Sequence, residues 1–353
     1  DADVDYSQYD YNGDGIVDGL FVVHAGEADE NGGGNNEEIW SHYFSIDPIT
    51  VDGVQIIDYE TVSEESPVGI IAHEFGHYLG LPDLYDTVTD DGSSKGTAEW
   101  SIMGYGGYLD EPGSFDPWSK GYLGWLNERT YQEVTRNDYY TLVEDISSSG
   151  IRYYALPISD TELFFLENRH EITLMNGDEA AGILIWHVDE AVMEQTGSWN
   201  GCSGTKWDCN TVNGEADHKF IDVEEAGGEQ NIDDGDLAES SDAWFEACST
   251  FGGCQQSEFS LSSTPKAVSY DGTKTIYVGV YSDIGTTMEL GVTLDGSLLA
   301  APEQDTSEEI VAEEISKEGV SLTLVISLIS GILLLGGIFI AWRLLRKKAE
   351  NTS

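Results

Sequence analysis

Basic side chains are scarce in this chain of 353 residues. Only 15 Lys and Arg stand against 66 Asp and Glu, for a formal net charge of −51. That balance excludes a nucleic-acid partner, which needs a basic footprint to meet phosphate. It leaves a surface kept soluble by self-repulsion. Cysteine is nearly absent as well. Cys202, Cys209, Cys248 and Cys254 are the only four, none in a C-x-x-C spacing, so a thiolate zinc site is excluded. Their even number and local pairing fit disulfides, with Cys202–Cys209 and Cys248–Cys254 the simplest arrangement.

Long hydrophobic runs are missing but for one. Val320–Trp342 holds 23 residues without a charge. At about 1.5 Å per residue it is long enough to cross a hydrocarbon core of roughly 30 Å. Arg343, Arg346, Lys347 and Lys348 follow at once. The positive-inside rule then places residues 343–353 in the cytoplasm as a basic tail and everything before Val320 outside the cell. Residues 297–319, poor in aromatics and rich in Glu, Ser and Ala, read as an acidic flexible stalk. The chain starts with Asp instead of Met, so it is expected to be a partial or processed form whose signal peptide and propeptide are not legible.

What is present centres on His73–Asp83, H-E-F-G-H-Y-L-G-L-P-D. His73 and His77 lie four apart, one turn apart on one face of a helix. Two neutral imidazoles at that spacing suit one Zn²⁺. Glu74 beside them is a carboxylate placed to take a proton from water. Gly80 lets the chain turn, and Asp83 then returns as the third ligand, with Asp86 or another carboxylate as the alternative. Ser66 reads as the N-cap and Pro67 as the first helical residue. Val68, Ile71, Ala72, Phe75 and Leu79 recur at helical spacing and predict the buried stripe. Some twenty residues on, Ser101-Ile102-Met103-Gly104-Tyr105 supplies a methionine turn. A zinc motif with Gly at 80 and Asp at 83, followed by such a turn, is the metzincin arrangement.

These segments resemble the immune inhibitor A family of secreted zinc metallopeptidases. The resemblance lies in His73–Asp86, Trp100–Gly107, Asp116–Leu126, Glu167–Arg169 and Gly182–Glu190, with weaker echoes to about residue 294. It implies a metzincin-like catalytic domain over residues 1–128 and a zinc endopeptidase acting on proteins or peptides. His73, His77 and Asp83 are its expected ligands and Glu74 its general base. Met103 is the expected floor under the metal, and Tyr105 the expected oxyanion stabiliser. It also implies that the strand before the motif helix, Val54–Thr61, borders the cleft and pairs with an extended substrate. Only 72 residues precede His73, which points to a missing early element of that domain.

Residues 10–18 read D-Y-N-G-D-G-I-V-D. Asp10, Asn12, Asp14 and Asp18 take the calcium positions of an EF-hand loop, with Gly15 at the turn, but Phe21 stands where its bidentate Glu belongs. A shorter calcium turn feeding a buried strand at Ile16–Ala25 is expected. Asp222, Asp233, Asp234 and Asp236 form a weaker second acidic cluster. From residue 129 to 296 short alternating runs at 139–143, 153–156, 163–167, 182–188 and 275–281 predict a β-sandwich-like accessory domain. The fold class is therefore α+β: a peptidase domain, a β-rich domain, a stalk and one membrane helix. The reading is a membrane-anchored extracellular zinc endopeptidase with calcium as a second ion. The alternative is an inactive, calcium-stabilised cell-surface adhesin on the same fold.

Overall fold

The computed structural model describes residues 4–31, 39–88, 94–245 and 256–299. One compact unit, Asp1–Ala301, contains all of them. The strands are β1 (Phe21–His24), β2 (His42–Val51), β3 (Val54–Ser63), β4 (Tyr131–Glu133), β5 (Asp138–Val143), β6 (Tyr153–Pro157) and β7 (Glu162–Thr173). They continue with β8 (Glu179–Asp189), β9 (Thr196–Trp199), β10 (Cys202–Thr205), β11 (Ile221–Val223), β12 (Glu258–Phe259), β13 (Tyr277–Val280) and β14 (Thr287–Thr293). The α-helices are α1 (Val68–Tyr78) and α2 (Pro117–Tyr122). Among the described residues no helix is long and apolar enough to cross a membrane. The expected span Val320–Trp342, the basic tail and nearly all of the stalk lie outside them, as do Cys248 and Cys254.

A five-stranded sheet, β11-β8-β7-β6-β4, is the middle layer. Side chains alternate across it with period two. Ile183 and Ile185 of β8, Phe164 and Leu166 of β7, and Tyr154 and Leu156 of β6 point one way. There they meet the four-stranded sheet β12-β13-β14-β5 through Val278, Val280, Met288, Leu290 and Leu142. Leu184, Trp186 and Val188 of β8, Phe165 of β7 and Ala155 of β6 point the other way. They pack on Leu81, Leu84, Trp100, Ile102, Met103 and Trp118 of the motif segment. A strand buried on both faces loses its polar alternation, which is why Gly182–Val188 reads G-I-L-I-W-H-V.

The sandwich is therefore real, but the expected cut near residue 128 does not separate two cores. The first apolar cluster takes residues from both sides of it. Polar bonds cross the same seam. Trp100 Nε1 donates to Asp242 Oδ2 (2.9 Å), and Ala238 N donates to Glu99 Oε2 (2.8 Å). β14 was not foreseen, although T-M-E-L-G-V-T alternates.

The smaller sheet has the order β1-β3-β2, with β1 parallel and β2 antiparallel to β3. β2 and β3 form a hairpin through Asp52 (φ 49°) and Gly53 (φ 88°). This is the two-residue Asp-Gly turn whose positive dihedrals match strand twist. Two expectations fail here. β1 is not buried: Phe21, Val22 and Val23 are exposed, because this edge strand has β3 on one side only. β3 occupies the centre with both edges paired, so it has no free edge for a substrate. The open edge on the other side is β2.

Scarce cations are spent inside. Arg169 is fully buried against Glu167 (2.9 Å). Lys219 is fully buried between Asp222 (2.6 Å) and Asp233. A lysine ammonium thus sits between two of the four carboxylates of the second acidic cluster. His187 on β8 is an internal cation of the same kind. Its Nε2 is 2.7 Å from Glu162 and its Nδ1 2.9 Å from Glu224, with Tyr270 stacked on the ring at 4.2 Å.

Burial disfavours the charge on His187, but the bonds to Glu162 and Glu224 override it and hold its pKa up to about 9. The ordinary value is 6.5, so the protonated ring stabilises the fold fully below pH 6.5, and that contribution fades as pH rises through 9. It is worth on the order of 2–3 kcal/mol. His187→Gln is therefore expected to unfold much more easily than the parent at pH 6, with the two denaturant curves converging above pH 9. A gap that widens with pH would contradict this.

Candidate metal centre

The motif helix forms as the spacing predicts, but its buried face differs. Val68 and Phe75 are exposed, at 65 % and 51 %. The buried residues are Gly69, Ile70, His73, Glu74 and Gly76. The polar face, not the apolar stripe, turns inward because β2, β3 and the methionine turn all pack on the histidine side. Phe75 instead stacks on Tyr78 at 6.5 Å. Ser66 is not the cap: Pro67 holds that position without a side-chain bond, and the Ser66 hydroxyl accepts the Ser63 N–H at 3.0 Å. Two glycines bring the helix close to its neighbours. The α-carbon of Gly76 lies against the sulfur of Met103, and that of Gly69 against the backbone of Gly107.

The methionine turn and the loop after α1 orient the imidazoles. His73 Nδ1 lies 2.8 Å from the Ile102 carbonyl, and His77 Nδ1 lies 2.9 Å from the Leu81 carbonyl. Each Nδ1 is therefore a donor, which makes Nε2 the nitrogen whose lone pair is available when the ring is neutral. Both Nε2 atoms face the same oxygen. Asp83 Oδ1 is 3.1 Å from His73 Nε2 and 3.2 Å from His77 Nε2. Among the described residues these are the three whose donor atoms converge, all within 4.8 Å of one another. Asp86, the alternative third ligand, is not one of them.

Three acceptors meeting in a buried spot repel unless a cation lies among them. Asp83 Oδ1 has no hydrogen-bond partner. In the metal-free protein, protons fill the role. Burial opposes charge on His77, yet the Asp83 carboxylate holds its pKa up to about 9. Burial likewise opposes ionisation of Asp83, but His77 and His73 keep its carboxyl well below the usual range. Two imidazoles held by backbone carbonyls and one carboxylate are a donor set that fits a metal ion.

Glu74 is buried beside this set. Burial pushes its carboxyl up, with His73 and His77 pulling it back. Glu60 on β3 is also buried, and burial together with the Glu74 charge pushes it up to about 7. His73, Glu74, His77 and Asp83 line a cavity of about 680 Å³, bordered by Trp40 and Ser41 and by β2 from His42 to Ser45. Tyr85 and Tyr108 line it too, whereas Tyr105 does not. The Tyr105 ring packs against Tyr85 (5.6 Å) and Tyr108 (6.1 Å), and Lys95 sits over its face. Tyr105 caps the short turn Gly106–Tyr108, which carries Tyr108 to the wall instead. The Tyr85 ring stacks on His73 at 6.2 Å, and burial together with the Asp83 charge raises its pKa well above the ordinary value. It was missed although it lies in the His73–Asp86 block.

The expected calcium turn is not a cage. Asp10 accepts the N–H groups of Gly13, Asp14 and Gly15, Asn12 that of Asp14, Asp14 that of Ile16, and Asp18 that of Tyr11. These bonds close the turn on its own backbone, and among the described residues its three carboxylates do not converge on one point. Cys202 and Cys209 form a disulfide at the wall of the cavity.

Residues 2–127 match the model of the immune inhibitor A peptidase M6 catalytic domain. The chain is 33 % identical over 168 residues to immune inhibitor A of Bacillus thuringiensis subsp. alesti, covering 40 % of this chain and 24 % of that protein. It is 35 % identical over 150 residues to the pre-pro-metalloprotease PrtV of Vibrio cholerae serotype O1, covering 35 % of this chain and 16 % of that protein. The chain thus spans about a quarter or less of the curated relatives it matches. The family resemblance read from the motif segments is borne out.

Gly76→Ala tests the close approach to Met103. Alanine favours a free helix by about 1 kcal/mol. Here its Cβ meets the methionine sulfur, so the variant is expected to lose about 1–3 kcal/mol in denaturant unfolding. A stabilised variant would show that the helix does not rest on Met103.

Proposed function

We propose that the chain is a zinc endopeptidase acting on protein substrates. The reading is carried by the convergence of His73 Nε2, His77 Nε2 and Asp83 Oδ1 beside the buried carboxylate of Glu74. Two histidines and one aspartate suit a catalytic zinc, which keeps one position open. Zinc bound there supplies Lewis acidity and lowers the pKa of water. Glu74, next in sequence to His73, accepts the proton of the attacking water and delivers it to the leaving amide nitrogen. Tyr85 and Tyr108, which line the cavity, are the phenols placed to donate to the oxyanion.

The substrate lies along β2. This strand is an edge of its sheet, and its residues His42–Ser45 border the cavity. An extended peptide adds there as a further strand, held by main-chain bonds. The uncharged run Val320–Trp342 with the four basic residues after it supports a tether in the cell membrane, with the peptidase outside.

The test is hydrolysis of an unfolded protein, with zinc content measured on the same samples. The parent is expected to carry one zinc per chain and to cleave. Glu74→Gln is expected to keep the zinc and lose roughly 10²–10⁴-fold in rate. A parent that binds zinc and is as inert as Glu74→Gln would overturn the peptidase reading in favour of a binding protein.

A further inference from the structure

We infer that Asn210, a residue of the β-rich half, is a positioning residue that makes Asp83 a metal ligand. The inference rests on the zinc reading above. Asp83 and Asn210 are 127 residues apart and joined at two points. The Asp83 N–H donates to Asn210 Oδ1 at 2.7 Å, and Asn210 Nδ2 donates to Asp83 Oδ2 at 2.6 Å. One amide thus holds both the backbone and the side chain of the same residue.

The clasp selects which oxygen remains. Oδ2 is committed to Asn210, and Oδ1 is the oxygen without a hydrogen-bond partner that faces both imidazoles. A carboxylate turns about its last torsion through a broad, shallow well. Fixing Oδ2 removes that freedom and aims Oδ1 at the His73–His77 pair. Tyr85 also lies beside the site, its ring stacked on His73, but it is two residues from Asp83 on the same loop and moves with it. Asn210 connects the ligand to a separate element.

That element is held firmly. Asn210 adjoins Cys209, whose disulfide to Cys202 closes the loop after β10. The residue adopts a left-handed backbone, φ 53°, which asparagine tolerates better than most side chains. Its carbonyl accepts the Thr87 hydroxyl. Two neighbours bind the same ligand-bearing loop through backbone only: Asn200 Nδ2 donates to the Thr87 carbonyl at 2.8 Å, and Asn213 Nδ2 to the Leu84 carbonyl at 3.0 Å. These three asparagines staple residues 83–87 to the segment 200–213, but Asn210 is the one whose side chain reaches the carboxylate. Partners of a ligand outside the coordination sphere typically change metal affinity by 10- to 100-fold.

Zinc affinity of the full chain, measured by competition with a chromogenic chelator, separates the roles. Asn210→Gly keeps the left-handed backbone and removes the amide. Asn210→Asp keeps an acceptor for the Asp83 N–H but cannot donate to Oδ2. Both are expected to bind zinc roughly 10- to 100-fold more weakly than the parent, with the melting temperature of the metal-free protein little changed in Asn210→Gly. Asn200→Ala, which cuts a staple without touching Asp83, is expected to keep parental affinity. Parental affinity in Asn210→Gly would overturn the inference. So would an equal loss in Asn200→Ala, which would mean that holding the loop is all that matters. A parent that binds no zinc would overturn the metal reading itself, and the inference with it.

Discussion

Two imidazole nitrogens and one carboxylate oxygen face one another at 3.1 and 3.2 Å with no donor among them once the histidines are neutral. That confrontation is unfavourable without added positive charge, and the surrounding structure is what maintains it. The carbonyls of Ile102 and Leu81 decide which nitrogen of each ring is free. The bare α-carbons of Gly69 and Gly76 allow α1 close to the turn that supplies the first of those carbonyls. The loop beyond Gly80 (φ 94°) brings Asp83 back under the helix. Such a preorganised repulsion suits an ion that has to be captured and held in one geometry.

How much of this was legible depends on the range of the interaction. Local patterns read well. The spacing of His73, Glu74 and His77 and the short strand runs of β5, β6, β7 and β8 are each decided within a few residues, as is the Asp116 cap of α2 that went unread. Asp116 does accept the Ser119 N–H, at 2.8 Å. The direction a face turns is not local. Val68 and Phe75 follow helical spacing yet are exposed, because the bulk of the molecule lies on the polar side of α1. Burial of β1 and pairing of β3 were misjudged for the same reason, since a strand's place in a sheet is set by distant partners. The Asp/Asn turn at residues 10–18 carries the letters of a calcium loop, but those letters also write a turn that bonds to its own backbone. Tyr105 and Tyr85 differ only in which of two packed rings reaches the cavity. The link between Asp83 and Asn210 spans 127 residues and has no signature in either neighbourhood.

The middle sheet explains why the expected domain boundary is not a boundary in packing. β8 supplies Ile183 and Ile185 to one core and Leu184, Trp186 and Val188 to the other. The motif segment therefore rests on a sheet that is itself clamped from behind by β5, β13 and β14. A sheet clamped on both faces is a stiff support, and a site needing sub-ångström placement of three donors gains from one.

The inward placement of Arg169, Lys206 and Lys219 has an outward consequence. All three are fully buried, at 1 %, 1 % and 0 % exposure. Arg169 lies against the buried Glu167, whereas Lys206 reaches up to the exposed Glu215; each cation withdrawn is one fewer on the exterior, so the solvent sees a shell more negative than the composition suggests. Such a shell repels acidic polypeptides at a distance and draws in basic ones. Dissolved salt weakens both effects within a Debye length of about 8–10 Å. The interior placement of positive charge thus shapes the long-range field outside the fold.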